Sequence, residues 1–377
     1  MNIEIISADI TSILKGLKVE WEKAGHFVNQ ITTLTDTEYH YKRSRKWSRY
    51  GLRWEIYGYF PLKLFWQLRR KNEPPVDFRV LVTSPFYLPA LAQWLSKSNK
   101  SYTINLLYDL FPEAIIQAKI LRADSLIVKY MESLMRYSLK NCSATVFFGE
   151  YMRDYTESRY GRAQHSVVIP CGSDGTPFRN NPPEPIMDNE EITILYSGSI
   201  GYMHDIDTLL KLFDQKLPKC IKFVFHSGGV GYSKFKKEVA MSGFNFNNRL
   251  ILSGPLSEQD WPHVMRNSQI GLVTLAHGAE NVCFPSKIYS ALVSGQAVLA
   301  ICNKKSDLAQ VVLKHDCGWV VEPGDIGTIV KVLDKICKNR DEIYQKRLNA
   351  FKVGHKYYDI SSVAKQFIKL FNELLTK

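Results

Sequence analysis

Short runs of apolar, often β-branched residues alternate with segments of helical periodicity along the whole chain. Within each run the apolar residues are continuous, which is typical of strands that are buried on both faces of a parallel sheet. The predicted strands of the first half are Asn2–Ile6, Arg79–Thr83, Thr103–Leu107, Ala144–Phe148 and Val167–Ile169. Those of the second half are Ile192–Tyr196, Ile221–Phe225, Leu250–Leu252, Ile270–Thr274, Val298–Ile301 and Trp319–Val321. The pattern therefore predicts an α/β protein whose parallel sheets carry helices on both faces.

A polar stretch rich in proline, residues 177–191, separates the two halves of the chain. It has almost no apolar residues, so we predict a linker there. The 377 residues, 45% of them hydrophobic, suffice for two domains with separate cores. We therefore expect doubly wound domains at residues 1–180 and 181–358, followed by an amphipathic helix at 359–377. Ligands of such domains bind at the carboxyl ends of the strands.

The segment ENVCFPSKIYSALVSGQAVLAI, residues 280–301, reads as a loop, a helix and a buried strand. Ser286 is the predicted N-cap and Lys287 lies in the first turn. A lysine ammonium and free backbone N–H groups at one point favour an anionic ligand, most simply a diphosphate. The alternative is an ordinary helix that begins with Ser-Lys.

Three further segments have glycine-containing turns directly after predicted strands. They are ILYSGSIGYMHDIDTLLKLF (194–213), KFVFHSGGVG (222–231) and RLILSGPLSEQDWPHVMRNSQIGLVTL (249–275). The first half adds LLYDLFPEAI, residues 106–115. In this order the motifs resemble those of GT-B glycosyltransferases, most closely glycosyltransferase family 4 in its branch with a PSKI(Y/F) helix start.

The resemblance implies a GT-B fold, in which two doubly wound Rossmann-like domains face a central cleft. It implies an acceptor-binding N-terminal domain, a C-terminal domain that binds a nucleotide sugar, and a C-terminal helix that packs back on the N-terminal domain. It further implies transfer with retention of configuration, with neither a metal nor a cofactor and with a nucleotide diphosphate sugar as donor.

The donor-site residues follow from the same resemblance. Lys287 is the first candidate for stabilising the departing diphosphate, and the turn after the strand 192–196 is the second, because glycines let backbone approach a phosphate closely. Many family members have a basic residue after this turn, where this chain has His204. The predicted donor-binding residues are Gly198, Ser199, Ile200, Gly201, Gly228, Gly229, Gly254, Pro255, Leu256, Glu280, Pro285, Ser286, Lys287 and Ser290.

The chain departs from the family pattern at its acidic pair. The usual Glu-x7-Glu positions fall on Val282 and Ser290, and Glu280 lies two residues before the first of them. A serine hydroxyl can bind a ribose hydroxyl but cannot match a carboxylate, whose two oxygens can take two ribose hydroxyls. The departure therefore leaves the fold prediction intact and concerns only the donor contacts.

Carboxylates are the acceptor-side candidates of the first domain. Asp9 follows the first strand, where family members have a glycine-rich loop, and Asp109 and Glu113 follow the strand at 103–107. They can orient an acceptor hydroxyl or take its proton, and we favour Asp109 as the catalytic one. Helix capping is the alternative explanation for all three. The retaining mechanism of the family needs no side-chain base, and His204, His277 and His315 are expected to be structural.

Residues 39–71 combine basic and aromatic side chains around the single acid Glu55. This composition suits an anionic membrane surface or single-stranded nucleic acid, and the net charge of +12 fits either. The alternative is a helix pair with core aromatics and solvated charges. Because the rest of the chain resembles a transferase, we expect a membrane rather than nucleic acid. The predicted membrane residues are Arg43, Arg45, Lys46, Trp47, Arg49, Arg53 and Trp54.

The seven cysteines are scattered without metal-ligand spacing, so we expect reduced thiols and no metal. With no signal peptide or long apolar span in the sequence, we expect a cytoplasmic protein on the inner face of the cell membrane. The predicted function is glycosyl transfer to a polyprenyl-diphosphate-linked acceptor in surface polysaccharide synthesis. The alternatives are a non-catalytic nucleotide- or nucleic-acid-binding protein on paired Rossmann folds, a sugar-nucleotide epimerase, and a transferase that has lost turnover.

Overall fold

The computed structural model describes residues 1–8, 11–34, 48–69, 75–96, 101–187, 190–244 and 249–376. The chain divides into two compact units. Met1–Pro170 and Val363–Lys377 form the first unit, and Cys171–Ser362 form the second. Each unit contains one sheet of six parallel strands.

The sheet of the first unit has the strand order β2-β1-β3-β4-β5-β6. Its strands are β1 (Asn2–Ile6), β2 (Phe27–Ile31), β3 (Phe78–Val82), β4 (Tyr102–Leu106), β5 (Ala144–Phe147) and β6 (Ser166–Val168). All five residues of β3 are buried, as expected for a central strand covered on both faces. The edge strand β2 was not predicted, because the polar Asn29 and Gln30 interrupt its apolar run.

Helices cover both faces of this sheet. They are α1 (Ser12–Lys23), α2 (Ser48–Trp54), α3 (Phe60–Arg69), α4 (Leu88–Leu95), α5 (Glu113–Gln117), α6 (Leu126–Asn141), α7 (Glu150–Tyr160) and, from the end of the chain, α15 (Ile360–Leu375). A π-helical turn, Glu55–Tyr59, joins α2 to α3. Helix α3 packs against α4, and α4 packs against α6, so these three helices form one layer.

The sheet of the second unit has the order β12-β11-β10-β7-β8-β9. Its strands are β7 (Ile192–Ser197), β8 (Ile221–His226), β9 (Leu250–Ser253), β10 (Ile270–Thr274), β11 (Ala297–Ile301) and β12 (Gly318–Val321). The central strands β10 and β11 are buried at every position. All six strands were predicted from the apolar runs, and the two parallel sheets confirm the predicted fold class.

The helices of the second unit range from six to fourteen residues in length. They are α8 (Asp207–Phe213), α9 (Val230–Ser242), α10 (Trp261–Arg266), α11 (Lys287–Val293), α12 (Asp307–Lys314), α13 (Ile326–Lys338) and α14 (Arg340–Val353). A π-helical turn, Gly354–Tyr358, leads from α14 to α15. Among the helices in the described ranges, none combines the length and apolar character that crossing a bilayer requires.

The expectation that all seven cysteines are reduced is wrong for one pair. Cys220, directly before β8, forms a disulfide with Cys337 in the last turn of α13, and their Cα atoms are 6.3 Å apart. The two residues are 117 positions apart in sequence, so no local spacing of cysteines predicts the pair. The other five cysteines are free, and four of them are buried.

Aromatic packing holds α15 against the first unit. The fully buried Trp21 of α1 lies edge-on to Phe367 and Phe371, with ring centroids 5.6 and 5.5 Å apart. Its indole N–H donates to the carbonyl of Ala364 at 3.2 Å. Phe371 also stacks on Phe78 of β3 at 4.5 Å. One indole therefore joins α1 to the last helix of the chain.

Replacing Trp21 with alanine should destabilise the first unit by about 3–5 kcal/mol. Removal of the large buried indole leaves a cavity, and the Ala364 carbonyl loses its hydrogen-bond donor. Urea unfolding followed by circular dichroism measures the loss. Trp94→Ala is the matched control, since Trp94 is 54% exposed, and it should change the free energy of unfolding by less than about 0.5 kcal/mol. Equal effects of the two changes would contradict the packing described above.

Alkylation provides a test of the cysteine pairing. Denatured protein treated with iodoacetamide without a reductant should take up label at the five free cysteines, and prior reduction should add Cys220 and Cys337. Intact-mass measurement counts the labels, and peptide mapping assigns them. Labelling of all seven cysteines without reductant would restore the original expectation.

Candidate functional site

Backbone hydrogen bonds join the three glycine loops that follow β7, β8 and β9. The Gly198 N–H donates to the His226 carbonyl at 3.0 Å, and the Ile200 N–H donates to the Gly228 carbonyl at 2.9 Å. The Ser227 N–H in turn donates to the Ser253 carbonyl at 3.2 Å. The structure thus brings together the predicted loops at 198–201, 228–229 and 254–256, at the carboxyl edge of the sheet.

Two glycines make this close approach possible. Gly229 has φ +95°, and a Cβ atom there would lie 2.7 Å from the Ile200 carbonyl oxygen. Gly198 has φ +116°, and its Cβ would lie 3.0 Å from Cε of Lys287. Both positions therefore require the positive φ and the absent side chain of glycine.

Lys287 begins α11 and extends over the end of β7. Its Nζ lies 2.9 Å from Nε2 of His204 and 5.3 Å from the ring centroid of the buried Tyr196. Burial lowers the pKa of Lys287 to about 8, which the nearby Cys283 opposes. The neighbouring Ser286 is exposed, and although it takes the N-cap position, its hydroxyl caps no backbone N–H. Lys287 thus packs against the first glycine loop at Gly198.

His204 has both ring nitrogens engaged. The Gly201 N–H donates to Nδ1 at 2.9 Å, while Nε2 faces Lys287. Burial, followed by the charge of Lys287, lowers the pKa of His204 to about 3. The imidazole is therefore neutral at physiological pH and does not supply the positive charge that family members have after this turn. Sequence analysis treated His204 as structural and could not see that it contacts Lys287.

Glu280 is held by a residue that sequence analysis missed. Asn303, just beyond β11, donates from Nδ2 to Oε1 of Glu280 at 3.1 Å, while its own Oδ1 accepts from the Lys305 N–H at 2.8 Å. The second carboxylate oxygen of Glu280 is buried and has no hydrogen-bond partner in the described part of the chain. The position of Asn303 at the carboxyl end of a strand was the signal that could have found it.

The two positions of the missing acidic pair have different surroundings. Val282 is buried, whereas Ser290 is half-buried and its hydroxyl lies 3.1 Å from that of Ser173.

Pro285 is buried before α11. A pyrrolidine carbon of Pro255 would lie 3.2 Å from a Cβ at Gly228, while Gly254 has open space around it.

The acceptor candidates lie in the first unit. Asp109 is exposed to solvent, yet the protein atoms crowded around it desolvate the carboxyl group and raise its pKa to about 6. Glu113 is buried at the start of α5, where it accepts from the Tyr160 hydroxyl and forms an ion pair with Arg159 at 2.9 Å. Desolvation raises the pKa of Glu113 as well. Asp9 lies outside the described residues.

The basic and aromatic segment forms α2, the π-helical turn and α3 where the structure describes it. Leu52, Phe60, Leu64 and Leu68 are buried. The opposite side exposes Tyr50, Trp54, Tyr57, Tyr59, Leu62 and Trp66. The Trp54 ring lies along the helix over Gly58, where a Cβ would meet it at 2.7 Å.

Part of the predicted membrane set cannot be placed. Arg43, Arg45, Lys46 and Trp47 lie outside the described residues, and Arg49 is described only as part of α2. Arg53 and Trp54 are exposed. Within the described ranges, His, Cys, Asp and Glu side chains form no group of three or more that could hold a metal ion.

Comparisons with known proteins find a family model that matches most of the second unit. Residues 178–352 match the family model described as glycosyl transferases group 1. The probable glycosyltransferase WbjE of Pseudomonas aeruginosa is 22% identical over 246 residues, which are 62% of this chain. The match spans 59% of WbjE, less than two thirds of that relative.

Solved structures resemble the whole chain. Sucrose-phosphate synthase from Thermosynechococcus elongatus has a TM-score of 0.71 at 13% identity and covers 100% of this chain and 99% of its own. Alr3699/HepE from Anabaena, in complex with UDP, has a TM-score of 0.67 at 12% identity and covers 99% of this chain and 100% of its own. The family 4 branch stays a prediction. The chain has the GT-B fold, and residues 178–352 of its second unit are similar to glycosyl transferases group 1.

Proposed function

We propose that this protein is a glycosyltransferase that takes a sugar from a nucleotide diphosphate sugar. The observation that carries the proposal is the position of Lys287, a half-buried lysine beside Gly198 at the junction of the glycine loops. The group 1 domain supports it, as do the structures of Alr3699/HepE in complex with UDP and with UDP-glucose.

The diphosphate of the donor would bind at Lys287. No carboxylate of the described residues lies within ion-pair distance of Nζ, so the amino group of Lys287 is available for an external anion. Loss of a nucleoside diphosphate develops negative charge on the leaving oxygens, and a preorganised cation stabilises that charge without reorganisation. Lys287 would therefore act mainly in the transition state, together with backbone N–H groups of residues 198–201 and the Ser286 and Lys287 amides.

The sugar and nucleoside contacts use the remaining donor residues. The unpartnered Oε2 of Glu280 can accept a hydrogen bond from a sugar hydroxyl, because Asn303 already satisfies Oε1. Ser290 would bind a ribose hydroxyl after leaving Ser173, and the loops 228–229 and 254–256 would flank the nucleobase. Pro285 would fix the start of α11.

The acceptor is the least defined substrate. Its hydroxyl would be oriented by Asp109, whose raised pKa of about 6 leaves it able to exchange a proton near neutral pH. Asp9 stays an acceptor candidate, whereas Glu113 would act by holding α5 through Tyr160 and Arg159. Retention of configuration, independence of metal and cofactor, and a polyprenyl-diphosphate-linked acceptor follow from the resemblance to family 4. WbjE, a probable glycosyltransferase, supports sugar transfer.

Membrane docking would bring the enzyme to such an acceptor. The exposed aromatic side of α2 and α3 belongs to the helix layer that also exposes Trp94 on α4 and Leu126 and Tyr130 on α6. Aromatic and basic side chains on one surface suit the interface of an anionic bilayer. We therefore propose a peripheral protein on the cytoplasmic face of the cell membrane, with this layer against the lipid.

Calorimetric titration with UDP, GDP, dTDP and ADP tests the donor site. We expect micromolar binding of one nucleotide by the wild type and weak or no binding by Lys287→Ala. Turnover of that variant should fall by a factor on the order of a hundred or more, because a main stabiliser of the leaving group is removed. Lys237→Ala, at an exposed lysine of α9, is the control and should match the wild type.

The outcomes separate the competing functions. Unchanged binding and turnover in Lys287→Ala would remove this residue from the site. Nucleotide binding without transfer to any acceptor would indicate a transferase that has lost turnover. Absence of nucleotide binding together with tight, salt-dependent binding of RNA would favour the nucleic-acid-binding alternative.

Vesicle cosedimentation tests the membrane surface. Changing four basic residues to glutamine should weaken binding to phosphatidylserine-containing vesicles by roughly a hundredfold, since each charge contributes up to about 1 kcal/mol. The four are Arg43, Arg45, Lys46 and Arg49. A control variant carries the same number of changes in the second unit, at the exposed residues Lys211, Lys216, Lys219 and Lys237.

We expect the control variant to bind vesicles like the wild type, and both variants to bind nucleotide normally. Trp54→Ala with Trp66→Ala should weaken vesicle binding without changing its salt dependence, because these side chains add apolar contact rather than charge. Unchanged vesicle binding in the four-residue variant would show that the segment only packs on its own domain.

A further inference from the structure

The contacts of His204 determine which of its nitrogens carries the proton. The backbone N–H of Gly201 donates to Nδ1 at 2.9 Å, so Nδ1 is an acceptor without a hydrogen. A neutral imidazole has one hydrogen, which must then be on Nε2. His204 is therefore a donor toward whatever faces Nε2.

The group that faces Nε2 is the side-chain nitrogen of Lys287, at 2.9 Å. A charged ammonium has three donors and no lone pair, so it cannot accept this hydrogen bond. A neutral amine can accept it. The hydrogen bonds of the pair are thus satisfied only when Lys287 is uncharged.

Two groups near Lys287 favour its charged form, and burial opposes them. The Tyr196 ring, 5.3 Å from Nζ, and the Cys283 thiol face the lysine from β7 and from the loop before α11. The carboxylate of Asp205, next to His204, is turned to the N–H and hydroxyl of Thr208. Burial lowers the pKa of Lys287 to about 8 and that of His204 to about 3, in agreement with two neutral partners above pH 8.

We propose that His204 holds Lys287 as a neutral amine in the nucleotide-free protein, and that Lys287 takes up one proton from solvent when a diphosphate binds. The inference rests on the proposed donor site, because a diphosphate is the anion that would favour the ammonium. His204 is then a positioning residue that sets the charge state of Lys287 and touches no substrate.

The sign of the pH dependence follows. At pH values above the pKa that Lys287 has in the nucleotide-free protein, the lysine is neutral in the free protein and protonated in the complex. Diphosphate affinity therefore falls as the pH rises through this range. Well below the free pKa the lysine is already charged, and no proton is taken up. The hydrogen bond from His204 stabilises the neutral amine and so extends to lower pH the range in which Lys287 is neutral in the free protein.

Calorimetry of UDP binding at about pH 8.5, in two buffers with different protonation enthalpies, counts the protons. A phosphate monoester has its second pKa near 6, so the nucleotide itself is fully ionised there. We expect uptake of between about half a proton and one proton per UDP bound.

Two variants identify the groups involved. Lys287→Arg should bind UDP without proton uptake, because arginine is always charged. His204→Asn keeps an oxygen where Nδ1 stands, to accept from Gly201, and removes the N–H that faces Lys287. This variant should bind UDP with clearly less uptake, because the pKa of Lys287 rises toward its ordinary range.

A measurement without ligand separates this inference from the donor site itself. The rate at which acetic anhydride modifies Lys287, followed by peptide mass spectrometry against pH, should have its midpoint at or below about 8 in the wild type and higher in His204→Asn. If no nucleotide binds, the proposed function fails while this rate still tests the pair. An ordinary lysine midpoint in the wild type, equal midpoints in both proteins, or uptake that persists in Lys287→Arg would overturn the proposal.

Discussion

The close contact between the loops after β7 and β8 is the constraint on which the candidate site depends. The Ile200 N–H bonds to Gly228 while its carbonyl lies where a side chain at Gly229 would have to be. A left-handed backbone and an absent Cβ are needed there together, which only glycine provides at no cost. With these loops in contact, Gly198 leaves the space that Lys287 occupies. A bulkier loop would displace the lysine from the carboxyl edge of the sheet.

Burial without an acidic partner disfavours the charged form of Lys287. In this site the neutral imidazole of His204 donates a hydrogen bond to the uncharged amine instead. An ion pair would have been the usual solution, but a carboxylate beside Nζ would repel a diphosphate. His204 satisfies the lysine nitrogen without adding negative charge, because Gly201 fixes its tautomer. Lys287 then becomes charged only when the diphosphate binds beside it. The same low dielectric that disfavours the free ammonium strengthens its attraction to the bound phosphate.

Sequence reasoning predicted the fold well because the signal is carried by local runs. Strands β7 to β12 are short, continuous and apolar, and their glycine turns mark the carboxyl edge. The edge strand β2 has a half-exposed pattern and was missed. Partners far apart in sequence left no pattern at all, as with Cys220 and Cys337 or His204 and Lys287. Which side chains meet at the edge of a sheet depends on loop paths, and periodicity does not encode those paths.

The departure from the acidic pair and the charge state of Lys287 are physically connected. Ser290 is three residues after Lys287 on α11, so a glutamate there would lie on the same face and favour the ammonium. With serine instead, the hydroxyl turns to Ser173 and leaves the lysine without an acid nearby. Val282 is buried and adds no charge either. Neither Val282 nor Ser290 therefore supplies a carboxylate that would favour the charged form of Lys287, and burial keeps the neighbouring His204 neutral. These residues favour a neutral Lys287 in the nucleotide-free protein, and binding of the donor diphosphate then favours its charged form.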